Sequence, residues 1–150
     1  MEKKEVKIAY HQAQSVNELA TEEQQLFKLA TEAMGNAYAP YSRFKVGCAL
    51  LLANGEIVKG NNQENMAYPS GLCAERVALF KAISEGNNEF KAIAIVGGFD
   101  DINKPCMPCG ACRQVMAEFC PPDFKIILKN NDGFEEYTLS ELLPKGFLLK

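Results

Sequence analysis

The sequence lacks a long hydrophobic run and any excess of positive charge. No apolar stretch approaches the roughly 20 residues of a membrane-spanning helix. The first five residues, Met-Glu-Lys-Lys-Glu, lead into no hydrophobic signal region. The net charge is −3 and the isoelectric point about 5.3, which makes the chain a poor candidate for binding a phosphate backbone. We therefore expect a cytoplasmic protein with neither a membrane nor a nucleic-acid partner.

Histidine is almost absent, whereas cysteine is not. The single histidine, His11, lies in a stretch without periodicity and has no acidic or thiol neighbour in sequence, so we predict a solvated side chain. The six cysteines, in a reducing compartment, indicate metal ligands or core residues rather than disulfides. Cys48 stands inside an apolar run, and we predict a structural role for it.

The length and composition fit one domain with a full core. The chain has 150 residues, of which 47% are hydrophobic, and it contains no repeats or linkers. We predict a single domain over residues 1–150, in which residues 1–14 form a loose arm. Val6–Ile8 is the strand candidate within that arm.

The patterns along the chain predict an α/β fold with a five-stranded mixed sheet between helices. Thr21 to Gln24 has the form of a capping box, and a helix should run from about Thr21 to Tyr38, stopping before Pro40. Asn54-Gly55 predicts a hairpin between two strands. The five predicted strands are at 46–53, 56–60, 91–98, 124–128 and 134–139. A second helix should end near Gly86 and a third should span 108–119, with a loop at 99–107 and a short helix or turn at 140–144.

Two thiol motifs stand at predicted helix starts. They are Cys73-Ala74-Glu75-Arg76 and Pro108-Cys109-Gly110-Ala111-Cys112. Free backbone N–H groups and the positive end of the helix dipole favour a thiolate there. Cys73, Cys109 and Cys112 could hold one Zn²⁺ and leave the fourth tetrahedral position for water. Glu75 would then be near enough to move protons on that water.

Two other metal sites fit part of the same pattern. Cys106, Cys109 and Cys112, followed by Cys120-Pro121, resemble an iron–sulfur run, although the last gap has seven residues rather than three. A closed structural zinc site could recruit Cys106 or Cys120 as its fourth ligand. Neither alternative needs a carboxylate beside the thiols, whereas a hydrolytic site does.

The zinc deaminase pattern is a ligand, one residue, a Glu, and later Pro-Cys-x-x-Cys, with a three-cysteine variant. With Cys73-Ala74-Glu75 and 108–112, this chain resembles the small, three-cysteine cytidine deaminases. The segments 39–47, 62–65 and 142–147 are also similar to that family, so the resemblance covers most of the chain. It implies a three-layer sandwich fold, one Zn²⁺ per chain, a homotetramer, and hydrolytic deamination of cytidine or deoxycytidine in pyrimidine salvage.

The resemblance also implies roles for individual residues. Glu75 would be the catalytic acid and base, and Arg76 would withdraw negative charge from the thiolates. The other implied roles are base stacking by Phe44, ribose binding by Asn62 and Glu64, reading of the pyrimidine edge by the backbone at Ala74 and near Cys109, and capping of a neighbouring subunit's site by Phe147.

Some positions depart from the family pattern. Gln63 and Met66 replace residues that are often β-branched and small, and the N-terminal arm is longer than usual. The choice between cytidine, deoxycytidine and a cytosine-containing antibiotic therefore stays open, as do the kinetics, the regulation, the oligomeric state and the role of the arm.

Overall fold

The computed structural model describes residues 1–99 and 104–148. The predicted loop at 99–107 therefore lies partly outside the described residues. The elements, in chain order, are β1 (His11–Ala13), α1 (Thr21–Gly35), β2 (Lys45–Leu52), β3 (Ile57–Asn61), α2 (Ala74–Ser84), β4 (Phe90–Gly98), α3 (Gly110–Phe119), β5 (Lys125–Asn130), β6 (Gly133–Thr138) and α4 (Leu139–Leu142). Short 3-10 turns occupy Val16–Glu18 and Tyr68–Ser70.

The strands form one mixed sheet in the order β1-β6-β5-β4-β2-β3. Among the strands of the described residues, only the β4–β5 pair is parallel, and the other four pairs are antiparallel. Because side chains alternate across a strand, β2 sends Cys48 and Leu50 into one cluster of buried residues and Ala49 and Leu51 into another. Helix α1 packs in the second cluster, and α2 packs in the first. Helices therefore cover both faces of the sheet, as predicted.

The five-strand prediction was wrong because β1 adds a sixth strand. It lies within the arm predicted to be loose, where His11, Gln12 and Ala13 pair with Glu136, Glu135 and Phe134 of β6. Val6–Ile8, the predicted strand candidate, is not a strand. A three-residue edge strand has too few residues to show an alternating pattern, so its position depends on the partner strand.

Helix α1 begins at Thr21, as predicted, but it ends three residues before the predicted limit at Tyr38. The cap is Ala20, whose N–H donates to the Glu23 carboxylate at 3.0 Å, so Thr21 is already helical. The helix ends at Gly35, because the backbone of Tyr38 bonds to the polar turn after β3 instead. Tyr38 N donates to Asn62 O at 3.0 Å, and Tyr38 O accepts from Glu64 N at 2.8 Å.

Helix α2 lies directly on β3 at Gly60. A Cβ built at Gly60 would lie 2.4 Å from the Ala74 carbonyl oxygen and 2.7 Å from Ala78 N, so only glycine permits this approach. The contact places the first turn of α2 at a defined height above the sheet. None of the helices within the described residues combines the length and the apolar character needed to cross a bilayer.

Candidate active site

Three thiols meet at the starts of α2 and α3. Cys73 is the N-cap of α2, and Cys109 is the N-cap of α3. Cys112 lies one turn into α3, on the same side as Cys109, because residues three apart are neighbours on a helix surface. The Sγ of Cys109 lies 3.9 Å from that of Cys73 and 3.6 Å from that of Cys112. The helix starts predicted from sequence therefore bring the three thiols together.

The spacing of the sulfurs fits zinc. All three Sγ atoms lie within 4.8 Å of one another. Two thiolates bound to tetrahedral Zn²⁺, with Zn–S bonds of about 2.3 Å, would lie roughly 3.8 Å apart. The two Sγ separations around Cys109 are close to that value, and an all-thiol donor set suits zinc.

The group has no fourth ligand among the described residues. The grouping of His, Cys, Asp and Glu atoms contains Cys73, Cys109 and Cys112 alone. Cys106 and Cys120, which an iron–sulfur cluster or a closed zinc site would require, do not join it. All six cysteines, which lie in the described part of the chain, are free thiols. Three protein ligands with a remaining position are typical of catalytic zinc.

A neighbouring thiol and a neighbouring guanidinium favour a thiolate at Cys73. The Cys112 thiol and the Arg76 guanidinium together lower the pKa of Cys73 to about 5. Arg76 Nη2 donates to Cys73 Sγ at 3.4 Å. The hydrogen bond between Cys112 and Cys73 raises the pKa of the Cys112 thiol, and burial adds to this effect. Arg76 thus lies against the first thiol of the cluster.

Glu75 is a buried carboxylate in the first turn of α2. Its exposure is 4%, which is rare for a glutamate. Burial raises the pKa of Glu75 to about 7, and the nearby Cys73 adds to this effect. A carboxyl group held out of water beside a thiol cluster is a feature of functional sites.

A cleft of about 470 Å³ opens beside the thiols. Its walls include Cys73, Glu75 and Cys109 together with residues of the polar turn after β3. Further residues lining it are Ser42, Phe44, Val46, Asn62, Gln63, Glu64, Tyr68, Gly71, Leu72, Cys106 and Met107. A concave site with an apolar wall and a few polar groups is suited to a small molecule.

Asn62 and Glu64 line this cleft, and both also organise the backbone. Asn62 Nδ2 donates to the Phe44 carbonyl at 2.9 Å, and Asn62 Oδ1 accepts from Val46 N at 2.8 Å. The Glu64 carboxylate accepts from Tyr41 N at 3.0 Å, from Ser42 N at 3.2 Å and from the Ser42 hydroxyl. The Ser42 hydroxyl contributes most to lowering the pKa of Glu64.

The remaining predicted binding residues differ in position. Phe44 lines the cleft and meets the Phe99 ring edge-on at 5.1 Å, so it is not an interior core residue. Ala74 is fully buried, at the first helical position of α2. Phe147 is 69% exposed and does not line the cleft of its own chain. His11 is solvated as predicted, although its Nδ1 lies 3.7 Å from the Glu136 carboxylate across the β1–β6 pair.

Three residues near the site were missed by the sequence patterns. Ser42 bonds Glu64, and Arg113 donates to the Pro108 carbonyl beside Cys109. Cys106 lines the cleft against Gly97, where a Cβ would lie 2.7 Å from the Cys106 Sγ. The repeated Cys-x-x-Cys spacing drew attention to Cys106 only as a metal ligand, and nothing in the sequence singled out Ser42 or Arg113.

A family model described as the cytidine and deoxycytidylate deaminase zinc-binding region matches residues 20–128. This match spans well over half of the chain and includes all three clustered thiols and Glu75. The chain belongs to this deaminase family. A cytidine deaminase from Halalkalibacterium halodurans is 54% identical over 125 residues, which cover 83% of this chain and 92% of the relative.

Solved structures place the fold in the same family. The crystal structure of a cytidine deaminase from Burkholderia pseudomallei matches with a TM-score of 0.75 and 44% identity, over 82% of this chain and 97% of that one. The predicted deaminase-like α/β fold is thus confirmed, with six strands in place of five.

The chain is also similar in sequence to a deaminase with a different name. A blasticidin-S deaminase from Bacillus cereus is 27% identical over 131 residues, which cover 84% of this chain and 92% of the relative.

Proposed function

We propose that the protein hydrolyses cytidine and deoxycytidine to uridine and deoxyuridine, releasing ammonia. The C4–N bond of the base breaks, a C4–O bond forms from water, and no oxidant or reductant is needed. The observation that carries this proposal is the buried Glu75 carboxylate, which lines one cleft together with Cys73 and Cys109 of the three-thiol cluster. Curated relatives named cytidine deaminase, at up to 54% identity, support the same activity.

Cys73, Cys109 and Cys112 would hold one zinc ion. When bound, zinc makes water a nucleophile at neutral pH. The two helix starts provide N–H groups and dipole ends that stabilise thiolates. Arg76, donating to Cys73, disperses part of the negative charge that three thiolates would concentrate at the metal.

Glu75 would carry the protons. Its carboxylate takes one proton from the attacking water and delivers it to N3 of the base. It then takes the second proton from the new hydroxyl group on C4 and delivers it to the departing amine. Glu75 lies in the first turn of α2, two residues after Cys73, and it lines the cleft together with Cys73 and Cys109. The backbone N–H at Ala74 has no partner within its own helix and suits a pyrimidine edge.

Other residues of the cleft suit a nucleoside. Phe44 offers a ring for stacking on the base. Asn62 and Glu64 each keep hydrogen-bonding capacity beyond the bonds to the backbone, because an amide oxygen and a carboxylate can accept more than one bond. These polar groups are suited to ribose hydroxyls, which both donate and accept.

One assay tests the proposal. Purified protein is incubated separately with cytidine, deoxycytidine and cytosine, loss of the amine is followed by absorbance, and zinc per chain is measured in parallel. We expect turnover of both nucleosides and about one zinc per chain. Zinc-loaded protein that leaves both nucleosides unchanged would exclude the proposed activity.

The second candidate is deamination of a cytosine-containing antibiotic. It is favoured by the 27% identity to a blasticidin-S deaminase over most of the chain. Adding blasticidin S to the same assay separates the two functions, because we expect a much higher kcat/KM for the nucleosides. A higher value for the antibiotic would reverse the assignment.

We also propose a homotetramer located in the cytoplasm. The exposed Phe147 and Leu148, at the end of the described C-terminal segment, support the role in which Phe147 caps the site of a neighbouring copy. Light scattering on the purified protein should give four times the mass of 16.6 kDa. A monomer with full activity would contradict both the assembly and the role of Phe147.

A further inference from the structure

Arg113 joins two parts of the chain that lie far apart in sequence. It follows the thiol of Cys112 on α3, and it is half-buried. Its Nε donates to the Pro108 carbonyl at 2.7 Å, and its Nη1 donates to the Leu142 carbonyl at 2.8 Å. One guanidinium therefore contacts both the turn before Cys109 and the end of α4.

Both of these carbonyls lie at helix ends, where regular helical partners are lacking. Pro108 precedes the N-cap Cys109, so its carbonyl lies before α3 begins. Leu142 is the last residue of α4. A planar guanidinium can hold two such acceptors in a fixed relative position, because its N–H groups form a rigid fork. A lysine ammonium cannot reproduce that geometry.

The next residue on the helix makes a related but separate contact. Gln114 Nε2 donates to the Phe147 carbonyl at 2.7 Å. This bond fixes the C-terminal segment to α3 without touching the turn before Cys109. Arg113 and Gln114 therefore both anchor the C-terminal segment to α3, but of these two residues only Arg113 also binds the turn before Cys109.

We propose that Arg113 is a positioning residue that ties the orientation of the Cys109 thiol to the docking of the C-terminal segment. Moving the Pro108 carbonyl would rotate the Cys109 backbone and turn its Sγ away from those of Cys73 and Cys112. The inference rests on the zinc site in the proposed function, but not on the identity of the substrate.

The test measures metal binding directly, with Co²⁺ and Zn²⁺ as probes. Co²⁺ bound by thiolates gives absorption bands that report the ligand set and its geometry, and a competing chelator gives the Zn²⁺ affinity. We expect Arg113→Ala to weaken affinity for both ions by about 10- to 100-fold and to alter the Co²⁺ bands. Guanidinium ion added at a non-denaturing concentration should recover part of the loss.

Gln114→Ala is the matched control. It removes the bond to the Phe147 carbonyl and leaves Arg113 in place, so metal affinity and the Co²⁺ bands should stay as in the parent protein. Hydrogen exchange should speed up around residue 142 in Arg113→Ala and only around residue 147 in Gln114→Ala. Equal metal affinity in Arg113→Ala, Gln114→Ala and the parent protein would overturn the proposal.

Arg113→Lys carries the test if Arg113→Ala does not fold. It keeps the charge and the aliphatic stem but lacks the fork, so we expect weakened metal binding in a folded chain, as judged by circular dichroism. Parental metal affinity in Arg113→Lys would sink the proposal. A parent protein that binds Co²⁺ through thiolates but deaminates no nucleoside would refute the proposed function and leave this inference standing.

Discussion

The two helix turns that supply the thiols are held in different ways. The first turn of α2 lies directly over Gly60 of β3, and it carries the buried Glu75 and the Arg76 that contacts Cys73. The first turn of α3 supplies two thiols, one of them the exposed Cys109. The first turn of α2, which carries the proposed proton carrier Glu75, is thus positioned by its contact with the sheet. The first turn of α3, which supplies two of the three thiols, is positioned by hydrogen bonds to the turn before it and to the C-terminal segment.

The largest effect is expected from removing the proposed proton carrier, Glu75, in the first turn of α2. Glu75→Gln keeps the shape of the side chain and removes the proton carrier, so kcat should fall by about 10²- to 10⁴-fold while zinc per chain is unchanged. Steady-state kinetics and metal analysis check this result. Glu85→Gln, an exposed change at the end of the same helix, should be neutral. Undiminished turnover in Glu75→Gln would exclude the proposed mechanism.

The next effect tests charge dispersal on the same turn. Arg76→Gln removes the guanidinium that donates to Cys73 Sγ at 3.4 Å. We expect turnover to fall by about 10-fold or more and its pH profile to shift, because the thiolates keep more negative charge at the metal. Lys81→Gln, which removes an exposed positive charge from α2, is the control. If Arg76→Gln keeps the kinetics of the parent protein, this arginine has no role in dispersing the negative charge of the thiolates.

The seat of α2 can be tested without touching the site chemistry. Gly60→Ala puts a Cβ 2.4 Å from the Ala74 carbonyl oxygen, so the free energy of unfolding should fall by about 1–3 kcal/mol. Gly35→Ala has open space around its Cβ and should be stabilising by less than about 1 kcal/mol. Denaturant unfolding compares the two. Similar stabilities would show that α2 does not depend on this close approach.

The corresponding test on the α3 side uses the contact between Gly97 of β4 and Cys106, which lies in the loop before Cys109. Gly97→Ala places a Cβ 2.7 Å from Cys106 Sγ and 3.0 Å from Val46 Cγ2. We expect a loss of about 1–2 kcal/mol in unfolding free energy and a lower kcat/KM, because Cys106 lines the cleft. Adding Cys106→Ala should recover part of both. Strictly additive effects in the double-mutant cycle would argue against the contact.

The smallest effect concerns the polar turn after β3. Hydrogen bonds, chiefly from the Ser42 hydroxyl, hold the pKa of Glu64 below its ordinary value. A depressed folded-state pKa adds stability above the unfolded-state pKa, and that stability is lost as the pH falls through the folded-state pKa. Glu64→Gln should therefore lower thermal stability near neutrality, with a difference that shrinks below about pH 4.

The control for this comparison is Glu89→Gln, an exposed carboxylate distant in sequence from the turn. Its melting temperature should follow that of the parent protein across the same pH range. A Glu64→Gln difference that stays constant down to strongly acid pH would contradict the ionic origin of the effect.

Much of the fold follows from local patterns. The hairpin around Asn54-Gly55 and the helix over 108–119 lie within two residues of their predicted limits. The end of α1 does not, because the Tyr38 backbone bonds to the turn at 62–64 rather than continuing the helix. The edge strand β1 was also missed, since three residues carry no readable period and depend on β6 for their hydrogen bonds.

By itself, the sequence determined which side chains could do the chemistry. Helical geometry makes residues three apart neighbours, so the spacing of Cys109 and Cys112 already implied a pair of thiols on one turn. Only the tertiary structure decided that Cys73, 36 residues earlier, lies 3.9 Å from Cys109, and that Arg113 connects the same turn to Leu142. Such contacts depend on which strands become neighbours in the sheet and how closely the helices approach it, and no local pattern encodes either.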